Sequence, residues 1–447
     1  MDEYKIRMGL MRGEFRGDFT RDTFDAGRRY SRVLMQQGRV QLDADFNEQA
    51  SLMVHYLRGL AVDLMGPHAA PAGMEGQPAE DFLVSVPDGE HLVAAPGLYY
   101  VNGIRCENPE PIRLLIPAEP KVHLAYLDVW ERHIAAVEED LIREVALNGP
   151  DTASRAKIEW QVKLLADVRL KDNSYAAFLE ALESIRKPGT GQLRARARQR
   201  EEADLEPCLV DPEARYRGPE NQLYRVEIHN GGQSGKLTFK WSRENGSVYF
   251  PIVKPVADRI VTLAHLGRDA RFGLKPNDWV EIMDDAEALT PERPPLLQIE
   301  SIDPDNFEVT LKTAPSSASL GADPAKHPYL RRWDHKGDDP NGLPVTESTK
   351  ANPDWIDLEQ GIQIQFLKQG RNFQRYGVGD YWLIPARTIT GDVEWPGTVT
   401  DPDFLPAHGI LHHYAPLALV TRGANDTFTV HDLRRWIIKL WQDATGM

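Results

Sequence analysis

Three imidazoles, His408, His412 and His413, form the one histidine cluster of the chain. Histidines four apart hold zinc when they share a helix face, and a metalloprotease adds a glutamate beside the first. Gly409 stands where that glutamate belongs, and Pro406 and Gly409 argue against a continuous helix. The expectation is a loop entering a strand over 415–420, with His412 and Tyr414 on one face. Asp43, Asp45 and Glu48 are hard oxygen ligands of the kind calcium takes. Their spacing also fits capping: Glu48 lies three residues after Asp45, as in a capping box, and acids favour a helix start. Asp338-Asp339-Pro340-Asn341-Gly342 lacks the downstream glutamate of a calcium loop and reads as a turn. Asn230-Gly231-Gly232-Gln233-Ser234-Gly235-Lys236 resembles a phosphate-binding loop, but Leu237 replaces the Ser or Thr that reaches magnesium. A hairpin loop between 224–228 and 237–241 explains it better. With no Ser/His/Asp spacing, Cys nucleophile motif or dinucleotide fingerprint, no catalytic, cofactor-binding or metal residue is expected. The chain reads as a non-enzyme.

The elements that would position side chains begin with Tyr30 to Gly66. Val33-Leu34-Met35 meets a turn at Gln37-Gly38, then Val40-Gln41-Leu42 leads into a helix that Gly66-Pro67 stops. Along it Phe46, Ala50, Met53, Leu57, Leu60 and Leu64 follow at spacings of 4, 3, 4, 3 and 4, a heptad-like seam. Such a seam can pair copies of the chain, three copies about one axis forming a homotrimer. Leu52, Val54, Tyr56 and Val62 widen the stripe, so the helix can instead pack on its own domain. The segment before it carries six arginines, Arg12, Arg16, Arg21, Arg28, Arg29 and Arg32, among Glu14, Asp18, Asp22 and Asp25. It reads as a solvated, salt-bridged arm or as an arm docking on an acidic neighbour.

After an Ala/Gly/Pro-rich linker over 69–77, short strands are expected at 82–86, 98–101, 104–106, 112–116 and 121–132. Asn102-Gly103 supplies the positive φ of a two-residue hairpin. Residues 140–206 read as mainly helical, with Ile158, Val162, Leu165 and Val168, then Phe178, Leu182 and Ile185, at helical spacings. Arg194, Arg196, Arg198 and Arg200 lie in that span, flanked by acids, as a solvated face rather than an RNA site. Strands are expected at 224–228, 236–241, 247–250, 259–263, 279–283, 296–302, 307–311, 362–366, 379–384 and 415–420. A long loop is read over 312–352 and a final helix over 430–441. Trp130, Trp160, Trp241, Trp279, Trp333, Trp355, Trp382 and Trp395 are read as core fillers of a sandwich rather than sugar platforms. The fold class is α+β, mainly β. An arm and docking helix occupy 1–70, and a β module with a helical insertion (about 140–206) occupies 71–223. A β-sandwich or barrel-like region with a terminal helix fills 224–447.

At 447 residues two or three domains are expected, and a formal charge of −15 argues against a general nucleic-acid or anionic-membrane binder. Two cysteines, Cys106 and Cys208, are too few for a disulfide framework. They are compatible with two buried thiols in a reducing cytoplasm or with one bridge. The N-terminus lacks the apolar run of a secretory signal, and no 18-residue apolar run suits a membrane span. Export is therefore expected only by lysis or inside a particle.

Gln37-Gly38-Arg39-Val40-Gln41-Leu42-Asp43-Ala44-Asp45-Phe46-Asn47-Glu48-Gln49 is similar to the entry helix of phage baseplate and tail-fibre proteins. With residues 126–132, 143–153, 160–162, 379–387 and 408–414, it resembles an uncharacterised bacterial family found with phage-tail-like contractile injection systems. The resemblance implies a structural subunit at or around a baseplate, as fibre, cage or connector. Its partners would be its own copies and other baseplate or tail subunits, assembled in the cytoplasm and released with the particle. Two rival readings stand beside it: a tail protein that binds or degrades surface glycan, and a plug or cargo of the tube lumen. The absence of stacked short repeats weakens the polysaccharide-degrading reading.

Overall fold

Alternation of apolar and polar side chains builds most of the molecule. The computed structural model describes residues 13–71, 80–172, 174–182, 189–199, 215–232, 236–267, 273–290, 293–317, 319–370 and 374–437. Two helices stand among them, α1 (Asp43–Met65) and α2 (Tyr175–Leu182). The principal strands are β1 (Gly97–Val101), β2 (Ile104–Asn108), β3 (Val122–Ile134), β4 (Arg155–Ala166) and β5 (Gln192–Ala197). They continue with β6 (Gln222–Asn230), β7 (Thr238–Ser242), β8 (Trp279–Met283), β9 (Leu297–Asp303) and β10 (Glu308–Leu311). The last are β11 (Tyr329–Trp333), β12 (Ile362–Leu367), β13 (Tyr381–Arg387), β14 (His413–Arg422) and β15 (Phe428–Asp432).

Four sheets carry the weight. A four-stranded sheet runs β15-β14-β3-β4, all antiparallel, and buries both faces of β3. Ala125, Leu127 and Val129 pack against Tyr99, Val101, Ile104 and Cys106 from the β1–β2 hairpin, while Leu124 and Tyr126 pack against Phe178 and Leu182 of α2. Asn102 and Gly103, both at positive φ, close that hairpin as read from the sequence. A five-stranded sheet has β7-β6-β13 at its centre and faces a sheet built on β12-β5. Tyr224, Val226, Phe239, Trp241, Trp382 and Ile384 meet Leu193, Ala195, Ile362, Ile364 and Phe366 between them. A six-stranded sheet, with β11-β8-β9-β10 in its middle, folds around Val280, Ile282, Leu297, Ile299, Val309 and Leu330.

The α+β arrangement expected from the sequence is overturned. The fold is mostly β, 38% strand against 13% helix, with two α-helices among the described residues and many small sheets. Residues 155–166, read as helix, form β4, because Ile158, Trp160, Val162 and Leu164 line one face at the period of a strand. Arg194 and Arg196 of the arginine run lie in β5, Arg198 follows it and Arg200 lies outside the described residues. Among the described residues of the supposed insertion only 175–182 is α-helical, beside single 3-10 turns at 140–142 and 145–147. The long loop read over 312–352 contains β11. The final helix is replaced over its first residues by β15, and 438–441 lie outside the described residues. Strands on both sides of residue 223 share sheets, β14 with β3 and β12 with β5.

Candidate functional site

α1 is a helix turned inside out. Heptad positions that normally meet solvent in a coiled coil (b, c and f) face its own protein: Ala44 and Leu52 are buried, and Glu48, Ser51, His55, Arg58, Gly59 and Val62 are half-buried. Polar contacts fix that face. Glu48 accepts from Thr23 Oγ1 at 2.6 Å and Arg58 donates to Glu131 at 2.9 Å, while at the helix start the exposed Asp43, one heptad before Ala50, accepts from Thr20 N and Oγ1 at 2.9 and 2.6 Å. His55 lies 5.8 Å from the Phe24 ring. The capping box is therefore not formed. Leu42 is the N-cap without a side-chain bond, since Asp43 and Glu48 are turned to the preceding segment.

The seam points the other way. Phe46, Met53, Leu57, Leu60 and Leu64 are 56–77% exposed, and Ala50 is exposed with them. Tyr30, Leu34, Met35, Val40 and Leu42 in the arm before the helix are exposed too. That arm is tied to the helix, with Val33 N donating to Gln49 at 2.8 Å and the Tyr56 hydroxyl to Tyr30 O at 3.2 Å. Isolated apolar residues on a surface are ordinary, whereas a contiguous stripe marks an interaction site.

Titratable groups gather elsewhere, mostly paired. The odd-numbered side chains of β6 face away from its apolar core: Arg225 Nε donates to Glu227 at 2.6 Å. Lys240 of β7 donates to Glu281 of β8 at 2.5 Å, and Arg331 of β11 donates to Glu281 at 2.9 Å. The N-terminal segment closes this layer, as Arg16 Nη1 donates to Glu227 at 2.7 Å and also pairs with Glu14. Burial pushes the Glu227 carboxyl up, and the neighbouring Arg16, Arg225 and Lys240 outweigh it and hold it well below the usual range. Glu14 is likewise buried, and Arg16 and Arg293 bring it down to about 2. A cavity of about 20 Å³ beside Glu14, Arg16, Arg132 and Glu138 has room for a water rather than a substrate. The arm is thus not solvated at Arg16, and Arg21 pairs with Glu394 of the same chain.

The histidines disperse. His412 Nδ1 sits 2.7 Å from Asp128, His413 lies 2.9 Å from Asn102, and His408 stacks on Tyr381. Asp128 also accepts from Lys163 at 2.6 Å. Among the described residues no group of three or more His, Cys, Asp or Glu converges as a metal site. Residues 224–228 and 237–241 pair as antiparallel strands, and 233–235 of the loop between them lie outside the described residues. Cys106 is a free buried thiol, pushed up to about 12 by that burial, while Cys208 lies outside the described residues. Arg194 and Arg196 cover the Trp355 ring, and Arg194 bonds Gln365. Trp130, Trp241, Trp279, Trp333 and Trp382 are buried, with Trp160, Trp355 and Trp395 half-buried. Sequence reasoning missed the ionic layer. Its signal was present as charges alternating with apolar residues in Tyr224-Arg225-Val226-Glu227-Ile228, which reads equally as a strand with one wet face.

Fold and site together define a multi-sheet β protein that presents one outward-facing apolar helix. Residues 15–122, 119–190 and 181–430 match a family of unknown function, DUF6519, and the chain belongs to it. No curated protein and no solved structure matches the chain. No described helix is long and apolar enough to cross a membrane.

Proposed function

We propose that this chain is a structural, non-catalytic subunit of a phage-tail-like contractile injection particle, seated at or around the baseplate as fibre, cage or connector. One observation carries the reading: α1 commits its polar face to its own protein and leaves its apolar seam uncovered. A helix gains nothing for its own fold from apolar side chains held in water, so the seam makes sense as a surface that another protein covers. The particle itself comes from the sequence resemblance centred on residues 37–49, which includes the arm's turn and the first turns of α1.

The test is deletion of the gene in a host that makes such particles, followed by imaging of purified particles. Loss of assembly, or of one discrete baseplate density, is the expected result. Intact particles lacking only their effect on target cells would replace the structural role by that of cargo. Specific retention on a glycan array by the purified chain would favour the glycan-binding rival.

A further inference from the structure

We infer that the exposed seam of α1 is a homotypic interface: a second and third copy of this chain cover it, side by side and in the same direction. The inference rests on reading α1 as the assembly surface, and not on which particle the assembly serves.

Three properties of the helix select a copy of itself over other occupants. The first is register. Positions a (Ala50, Leu57, Leu64) and d (Phe46, Met53, Leu60) are all exposed, while every b, c and f position is at least half-buried against the chain's own body. A free helix pairs through a and d and wets b, c and f. Here the wet side is already occupied, and the pairing side alone is left.

The second is charge. The chain carries −15 overall, so bringing identical copies together is opposed wherever acids meet. From Phe46 to Leu64 the residues at a, d, e and g are Phe46, Asn47, Gln49, Ala50, Met53, Val54, Tyr56, Leu57, Leu60, Ala61, Asp63 and Leu64. Only Asp63, near the end, is charged. Identical copies can therefore meet along the seam without burying like charges, whereas a strongly charged partner finds no counter-charge there. A membrane fits worse. An interfacial helix presents Lys and Arg to anionic lipid, and the one cation of α1, Arg58, is held by Glu131 on the inner side.

The third is continuity. The exposed Leu34, Met35, Val40 and Leu42 belong to an arm fastened to α1 at Gln49 and Tyr56, so the apolar surface extends past the helix start. Flanking residues at e and g are bulky and uncharged at Val54 and Tyr56, which broadens the stripe beyond what two helices cover and suits three.

The experiment uses the full chain and two kinds of variant. Light scattering on the purified protein at about 20 μM is expected to give three chain masses, and Leu57→Glu with Leu60→Glu to give one, with an unchanged circular-dichroism spectrum. Both side chains are exposed, so the monomer's packing does not depend on them. In a separate variant, Leu57→Cys places a thiol where parallel copies meet at one level, and mild oxidation is expected to yield a covalent dimer of chains. Val62→Cys, on the inner face, yields none. A monomer at every concentration, an oligomer that survives the double glutamate variant, or a monomer that instead binds phosphatidylglycerol vesicles overturns the inference. Failure here leaves the particle assignment to its own imaging test.

Discussion

Asp380 is held in a place that disfavours its charge. A Cβ built at Gly189, Gly377 or Gly409 would lie 2.1–3.2 Å from its carboxylate, so backbone closes on it from three sides. Burial pushes its pKa up to about 6, against the opposing hydrogen bond from Gly377 N at 2.7 Å. The folded state thus holds the proton more tightly than the unfolded chain does. Stability from this group is complete below the ordinary aspartate value near 3.8 and is lost as pH rises through about 6. Glu244 acts in the same sense, raised to about 7 by burial despite Arg332 at 2.5 Å. Asp380→Asn keeps an acceptor for Gly377 and removes the charge. Urea midpoints should lie close together for the two proteins at pH 4 and separate by pH 8, where the variant gains about 3 kcal/mol. Equal midpoints at pH 8 would show that the buried carboxylate is relieved by some other route.

At the scale of elements, one close approach limits how near α1 can lie to the β1–β2 hairpin. Gly103, at the tip of the β1–β2 hairpin, would carry its Cβ 2.7 Å from Arg58 Cα and 2.8 Å from Arg58 O. Gly103→Ala must therefore move the helix off the hairpin, as well as strain a backbone at φ +76°. Amide exchange over residues 43–65 should accelerate while β3 and β6 keep their protection, with a stability loss of about 1–3 kcal/mol. Gly38→Ala separates the two causes, because Gly38 has φ +71° and nothing within 4 Å of its Cβ. It should cost the turn strain alone and leave the helix protected. Unequal legibility of the elements has a physical cause. α1 announced itself through a seam repeated over several turns and a Gly66-Pro67 stop, but its orientation did not. The groups that claim its polar face, Thr20, Thr23 and Glu131, lie far away in sequence. β4 was mistaken for helix because Ile158, Val162 and Leu165 follow at helical spacings of 4 and 3, whereas in the strand Leu165 falls on the face opposite Val162. β11 was missed because Arg331-Arg332 reads as loop until Glu281 and Glu244 are placed beside them.

At the scale of the whole molecule, what joins the sheets is ionic rather than oily. Each sandwich keeps its apolar core inside and turns Arg225, Glu227, Lys240, Glu281 and Arg331 toward the other, all buried. Buried pairs of this kind add little net stability when intact, yet leave an uncompensated charge when one member is removed. The N-terminal segment threads the same layer. Tyr381 donates to Gly13 O at 2.8 Å, Asn245 to Gly17 O at 2.9 Å, and Glu14 bridges to Arg132 of the four-stranded sheet. Three sheets thus share one strap, and Arg16 is its anchor, between Glu14 and Glu227 and 5.9 Å from the Trp333 ring. Arg16→Met keeps length and apolar bulk while removing the cation that Glu14 and Glu227 share, leaving Glu227 to Arg225 and Lys240 and Glu14 to Arg293. It should lower stability by about 3–5 kcal/mol, read as a shift of the urea midpoint for the molecule as a whole. Pairing it with Glu227→Gln should restore part of that loss, since each removes a charge the other would leave alone. A single variant that releases the strap to protease while its urea midpoint stays fixed would mean that the sheets cohere without their shared ionic layer.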